Sequence, residues 1–540
     1  MKKYIKASFA VILTFLLFGN LSVASSSVQN PPQTLVGVTE RVSVASDGTQ
    51  GNDWSSPHSI SADGRYVVFI SGATNLVVGD TNESWDIFVH DRVIGETTRV
   101  SVASDGTEGN DTSGFGGLTT ISGDGRYVAF DSLATNLVVG DTNGYSDVFV
   151  HDRETGETTR VSVASDGTQG NGFSFCPSVS ADGRYVAFES NATNLVEGGT
   201  NGYENIFVHD RVTELTTLVS VASDGTQGDY SSVIPSISAD GRYVAFFSWA
   251  TNLVAGDTNG FEDIFVHDRV TGKTTRVSVA SDGTQGNSIS SSPSISADGR
   301  YVAFDSVSTN LVVGDTNGSW DIFVHDRVTV ETTRVSVASD GTEGNDSSGL
   351  YMGTTISEDG RYVAFYSDAS NLVLGDTNGY GDIFVHDRVT GDTTRVSVAS
   401  DETQGDGDSR CPSISADGRY VAFDSYASNL VVGDTNDTTD IFVRDREGLV
   451  VGYSVSGHVT DLGGNPLPGV NISAGYGYSA MTDSQGDYKI IGLPSGTYRI
   501  TPSLTDYFFA PSRRSVSVPP ERVGINFTEG FPTFLPLIDR

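Results

Sequence analysis

Two cysteines in 540 residues, Cys176 and Cys411, are too few for a disulfide-stapled scaffold. Each immediately precedes a proline, in CPSVS and CPSIS, and so holds the same place in two separate repeats. Equivalent positions in non-neighbouring repeats do not approach within the roughly 7 Å that a disulfide spans, so free thiols are expected. Lysine is almost missing too. Between residues 39 and 454 Lys273 stands alone, and nearly all of the chain's net charge of −36 lies in that segment. Such a surface repels nucleic acid and anionic membranes and attracts cations. No segment sustains a helical apolar period. After the N-terminal region no apolar run is long enough to span a bilayer.

Catalytic spacings are equally scarce. There is no Cys–His cluster of zinc spacing and no GxSxG nucleophile elbow. Six of the eight histidines sit in HDR triplets, as His90, His151, His209, His267, His325 and His386, while Arg444 takes the seventh place. Six copies point to a structural task, hydrogen bonding on one face of the repeat, rather than to an asymmetric active site. The carboxylates are too many and too symmetric to nominate a glycosidase pair.

What the chain has in quantity is repetition. The triplet DGR recurs at 63, 124, 182, 240, 298, 359 and 417, spaced by 58 or 61 residues. Each unit offers four short β-branched runs between Gly, Asp and Asn turns: a (PSIS), b (RYVAF), c (DIFV) and d (RVSVAS). Four strands, seven times, predict a seven-bladed β-propeller. The array opens on RVSVAS, residues 41–46, and its last DIFVRDR, at 440–446, has no such segment after it. The expectation is that residues 40–46 pair with 440–446, completing the seventh blade and removing an open edge. The fold class is therefore all-β, a propeller closed by an N-terminal outer strand.

SADGRYVAF followed by DIFVHDR resembles the PD40 (WD40-like) repeats of TolB-type propellers over residues 39–446. That resemblance implies the fold and a partner-binding scaffold, without the helical N-terminal domain of TolB. Farther on, VSGHVTDLGGNPLPGVNISA, MTDSQGDYKIIGLPSGTYRITPS and INFT resemble the carboxypeptidase regulatory-like domain, an Ig-like or transthyretin-like β-sandwich. The resemblance implies a non-catalytic accessory module. The expected organisation is a signal peptide over 1–24, a linker over 25–38, the propeller over 39–449, the sandwich over 450–528 and an apolar tail over 529–540. Lys2, Lys3 and Lys6 ahead of FAVILTFLLFGNL, with Ser22-Val23-Ala24 at the cleavage site, give the signal its form. Secretion or a cell-surface location follows, or the periplasm if the source has an outer membrane.

Two features mark the face that carries the d–a and b–c connections. First, aromatics follow DTN, or GTN in blade three, in six repeats, as Trp85, Tyr145, Tyr203, Phe261, Trp320 and Tyr380, and Trp249 opens one b–c loop. Rings beside carboxylates suit a glycan or peptide platform. The competing reading is that each ring packs on a neighbouring loop. Second, GDTNGxxD repeats as Asp80, Asn82 and Asp86; Asp141, Asn143 and Asp147; Asp257, Asn259 and Asp263; Asp315, Asn317 and Asp321; Asp376, Asn378 and Asp382; and Asp434, Asn436 and Asp440. These are hard oxygens in a tight turn and a candidate calcium site, with an Asx turn as the alternative. Blade three loses both acids together, as Gly199 and Asn205.

The functional expectation is a monomeric, exported, non-catalytic binding or scaffold protein. Its partner would be a glycan or an extracellular protein, with no nucleic acid and no membrane span, and calcium is the candidate cofactor. The alternatives are a polysaccharide hydrolase or lyase with its site in the propeller channel, and a structural cell-surface component.

Overall fold

The computed structural model describes residues 37–349, 353–447, 453–475, 478–493, 496–505, 507–518 and 522–531. The expected signal peptide, most of the linker and most of the apolar tail lie outside the described residues. Among the described residues no helix is long and apolar enough to cross a membrane.

The DGR repeats form seven four-stranded antiparallel sheets. In blade one, strand a is Ser55–Ile60, b is Tyr66–Ser71, c is Asp86–Asp91 and d is Glu96–Arg99. Strand a shortens to Thr120–Ile121 in blade two and Thr354–Ile356 in blade six. Those are the blades whose 61-residue spacing places extra residues in the d–a connection. Blade seven is built from Ser409–Ile414, Tyr420–Ser425 and Asp440–Asp445, with Val38–Arg41 as its outer strand. The register runs from Val38 opposite Asp445 to Arg41 opposite Phe442, and Val42 N donates to Ile441 O at 2.8 Å. The pairing was expected over 40–46 and lies instead over 38–42. The reason is local: after Val42 the chain enters a turn closed by Ala45 N to Thr49 O at 2.8 Å, with Gly48 at φ +88°. RVSVAS is thus the loop-face continuation of each outer strand.

Strand c is buried along its whole length in blade one, from Asp86 to Asp91. A period-2 strand exposed on one face would alternate; this one is covered on both faces by neighbouring blades. Each apolar cluster accordingly spans two blades. Val68, Ile70, Ile87 and Val89 pack with Ile121, Val128 and Phe130 of the next sheet. At the seam, Val42, Ile60, Phe69 and Phe88 share a core with Ala422, Ile441 and Val443 of blade seven. Around the axis a–b turns are linked blade to blade by backbone bonds: Ala62 N to Gly123 O, Gly123 N to Ala181 O, Ala181 N to Ala239 O, Ala239 N to Ala297 O, Ala297 N to Glu358 O, and Ala416 N back to Ala62 O, each 3.0–3.1 Å.

The DGR and HDR triplets meet on the a–b face. Arg65 grips Asp91 with Nε at 2.9 Å and Nη2 at 2.7 Å. Arg92 lies 4.5 Å from the ring centre of Tyr420 in the preceding blade, whose other neighbour is Arg419 at 4.9 Å. Gly64 rests on that same ring, and a Cβ there would fall inside it. The histidines are structural, as six copies implied. His90 Nδ1 sits 2.8 Å from Thr97 Oγ1, whose hydroxyl donates to Val44 O of the adjoining sheet. The imidazole therefore donates through Nδ1, and burial lowers it to about 4. Arg444 replaces this link with bonds to Thr39 Oγ1 and Ala399 O, both 3.1 Å.

The C-terminal unit has two four-stranded sheets. Its first strand, Tyr453–Thr460, pairs with Asp487–Leu493, and its last, Phe527–Gly530, extends past the expected boundary at 528. Val455, Val459, Ile472, Ile490, Ile500 and Phe527 form the core between the sheets.

Gly64→Ala and Gly48→Ala separate steric from conformational cost, since both glycines have positive φ but Gly48 has open space around it. We expect about 1 kcal/mol of loss for Gly48→Ala, from strain alone. Gly64→Ala should lose clearly more in chemical unfolding, because Tyr420 must move. Equal losses would contradict this account of the seam.

Candidate functional site on the loop face

The d–a and b–c connections do share one face: Asn52 Nδ2 donates to Thr74 Oγ1 at 3.0 Å, and Thr81 N to Glu108 at 2.9 Å. The acids of GDTNGxxD converge there, but around a cation the spacing did not reveal. Arg99, the last residue of strand d, places Nη1 3.4 Å from Asp80 and 3.2 Å from Asp86. Arg160 does the same for Asp141 and Asp147 (3.5 and 3.3 Å), Arg276 for Asp257 and Asp263 (both 3.0 Å), and Arg334 for Asp315 and Asp321 (3.7 and 3.3 Å). Arg395 does so for Asp376 and Asp382 (3.0 and 3.1 Å), and Arg41 for Asp434 and Asp440 (3.4 and 3.5 Å). The second acid is fully buried, and its Oδ1 takes the motif's serine, as in Ser101 Oγ to Asp86 Oδ1 at 2.5 Å.

The asparagines are tied into the turn by both ends of their amides. Asn82 Oδ1 accepts Ser84 N at 2.8 Å, an Asx turn, while its amide donates to Asp86 Oδ2 at 3.1 Å. Asn143, Asn259, Asn317 and Asn378 repeat that amide bond at 3.0–3.1 Å, and Asn436 donates to Gly51 O at 3.0 Å. Blade three confirms the partnership from the other side. Where the acids become Gly199 and Asn205, the arginine becomes Leu218. The two acids and their arginine are lost together, as one Asp–Asp–Arg triad.

In blades two and seven a glutamine joins the triad. Gln169 Nε2 donates to Asp141 at 2.8 Å and Asp147 at 3.0 Å, and Gln50 to Asp434 and Asp440 at 2.7 and 2.8 Å. Blades one and five carry Glu108 and Glu343 instead. Burial and the adjacent acids push Asp80 and Asp315 up to about 6.

The aromatic residues are partly packed and partly free. Tyr145 meets Phe173 edge-on at 4.7 Å, Phe173 stacks on Phe175 at 5.6 Å, and Phe115 reaches Phe175 at 6.3 Å. Tyr203 stacks on Tyr230 at 4.8 Å, Trp85 meets Trp54 at 4.9 Å and Trp249 meets Phe247 at 4.4 Å. Phe115, Trp85, Tyr145, Phe173, Tyr203, Tyr230, Trp249, Phe261 and Tyr380 remain 36% to 57% exposed, whereas Trp320 is half-buried. The rings brace one another and still present surface. Phe115, Phe173 and Tyr230 lie in the variable d–a segments, and only the pairing across blades marks them.

Strand b ends in a position that varies from blade to blade and holds the buried acids Asp131, Glu189, Asp305 and Asp424. Full burial pushes Asp131 up to about 7, while Gly116 N donates to it at 2.9 Å. Glu189 accepts Ile234 N at 2.9 Å. Cys176 and Cys411 are thiols at the adjoining strand-a bulges, each with φ +49°, and burial beside these acids pushes both well above the usual thiol range. Such thiols are poor nucleophiles.

Residues 454–528 match the family model of the carboxypeptidase regulatory-like domain. No curated protein matches the chain in sequence. Among solved structures, the chain is similar to an oligogalacturonate lyase in complex with manganese, at 13% identity and TM-score 0.45 over 77% of this chain and 96% of that one. It is similar to the β-propeller domain of the Trilobed protease from Pyrococcus furiosus, at 11% identity and TM-score 0.41 over 69% and 91%. TolB from Acinetobacter baumannii is similar at 16% identity and TM-score 0.32 over 56% and 60%.

Two measurements test this chemistry. Arg276→Leu should cost about 3 kcal/mol in chemical unfolding, because it strands two buried carboxylates. Adding Asp257→Gly and Asp263→Asn, the residues of blade three, should restore at least half of that loss. For Asp131 the folded pKa is raised, so its contribution is present at low pH and lost as pH rises through about 7. Asp131→Asn should therefore gain melting temperature relative to wild type between pH 5 and pH 8; a constant difference would refute the burial account.

Proposed function

We propose that this is an exported, non-catalytic binding protein whose acidic propeller uses its loop face to hold a glycan or an extracellular protein, with the C-terminal sandwich as an accessory module. The observation that carries the reading is the uneven distribution of exposed rings. Among the described residues Trp85, Phe115, Tyr145, Phe173, Tyr203, Tyr230, Trp249 and Phe261 lie on the loop face of blades one to four, against Tyr380 in blade six and Tyr426 in blade seven. Structural rings would recur evenly around a ring of near-identical blades. Exposed apolar surface of this kind marks interaction sites, and aromatic faces supply stacking to sugars and to apolar side chains alike. The acidic loops exclude strongly anionic partners by repulsion.

The channel is a weaker candidate for chemistry. It encloses about 140 Å³ where Ile60, Ala62, Ile121, Gly123 and their equivalents line it, with Glu358 contributing a carboxyl group. Small-molecule sites usually enclose roughly 300–1,000 Å³.

Binding of the purified chain to a glycan array and to immobilised extracellular proteins identifies the partner class. Tyr145→Ala with Phe173→Ala should weaken the best binder about tenfold or more, at roughly 0.5–1.5 kcal/mol per ring, in a variant that still unfolds cooperatively after the loss of the ring–ring contacts. Undiminished affinity in that variant would move the site off this face.

A further inference from the structure

Of the six Asp–Asp–Arg triads, those of blades one and five differ by a single residue, and the difference concerns charge. Where other blades place glutamine, these place Glu108 and Glu343, so three carboxylates face one guanidinium. Glu108 is held fast, accepting Thr81 N at 2.9 Å, Thr81 Oγ1 at 2.7 Å and the Arg99 guanidinium. Glu343 makes the same bonds to Thr316 and Arg334.

The exchange leaves an orphan. Oδ1 of Asp80 and Oδ1 of Asp315 accept no hydrogen bond, although their side chains are only 2% and 3% exposed. In blades two and seven that oxygen has a glutamine amide at 2.8 and 2.7 Å. In blades four and six the arginine closes on it to 3.0 Å. In blades one and five the amide donor has become a second carboxylate, and the arginine stands off at 3.4 and 3.7 Å. One guanidinium, 3.4 or 3.7 Å from that oxygen, faces three carboxylates in each of these blades, and the excess of buried negative charge calls for a further positive one.

We propose that the chain binds two hard divalent cations of the calcium class, one at Asp80, Asp86 and Glu108 and one at Asp315, Asp321 and Glu343. In each set, one oxygen from every carboxylate lies within 4.8 Å of the others. That matches ligands around an ion with bonds of roughly 2.3–2.6 Å. The arginine keeps the Asp86 and Glu108 side of the cluster, and the ion takes the side of Asp80. Water completes the shell, and an affinity of about 10⁻⁴ M is expected for so few protein ligands. The count is two, not the six that GDTNGxxD suggests, because only two blades supply the third carboxylate and the orphaned oxygen.

Calorimetric titration of the full chain with calcium, with magnesium as control, reads the count directly. Wild type should bind two calcium ions, Glu108→Gln one, and Glu108→Gln with Glu343→Gln none. Gln169→Glu should add a third. Glutamine is the residue that five blades already carry, so the loss variants keep the fold; their melting temperature in EDTA serves as the check. Three outcomes overturn the proposal. One is absence of binding in wild type. Another is a count unchanged by the glutamine substitutions, which would return the ions to the Asp–Asn–Asp turns that six blades share. The third is a melting temperature indifferent to calcium that falls above about pH 6 in wild type but not in the double variant. That would assign the missing charge to a proton shared by the two carboxyl groups.

Discussion

No blade of this propeller owns a hydrophobic core. Strands b and c are covered on both faces, and the covering surface always belongs to a neighbour, as Ile70 and Ile87 show against Ile121 and Phe130. A single repeat would leave that surface in water, at roughly 25 cal/mol per Å². The ring is therefore cooperative by construction, and its weakest place is where the two ends of the array meet. The N-terminal strand answers that weakness. It gives blade seven its outer strand and, through Val42, gives blade one part of its core.

The same dependence between neighbours governs the polar groups. On one face an arginine of each blade covers a tyrosine of the preceding one, and a glycine makes room for the ring. On the other face the buried aspartate of strand c is neutralised by the arginine of strand d and bonded to the serine that follows it. A segment with almost no lysine and a large negative charge can fold because many of its acids already have a built-in cation or a set of amide donors. The repeats that depart from this balance are the informative ones. Blade three drops the whole triad at once, and blades one and five add an acid without adding a base.

Much of this was legible in the chain. Seven DGR triplets set the blade count, and the misplaced RVSVAS announced the closing strand. The sixfold HDR pointed to structural histidines. The pairing of acids in GDTNGxxD was also visible, since both lie in one short segment. Their arginine was not, because it comes from strand d, 13 residues beyond Asp86. Its absence as Leu218 in blade three was present in the sequence, and comparison of the repeats would have found it. The ring pairs Tyr145–Phe173 and Tyr203–Tyr230 were hidden for a similar reason, each joining the b–c connection of one blade to the segment that opens the next.

Local pattern thus determined the class of fold, the number of blades and the two kinds of turn, because short β-branched runs and positive-φ glycines act over a few residues. Tertiary structure decided the charge partners and the exposed rings. Those depend on which side chains converge from strands distant in sequence, and convergence is a property of packed sheets rather than of spacing. A motif of two aspartates and an asparagine reads as a cation site in one dimension. In three dimensions the chain's own guanidinium stands beside the acids, and only the orphaned oxygens of Asp80 and Asp315 still ask for another charge.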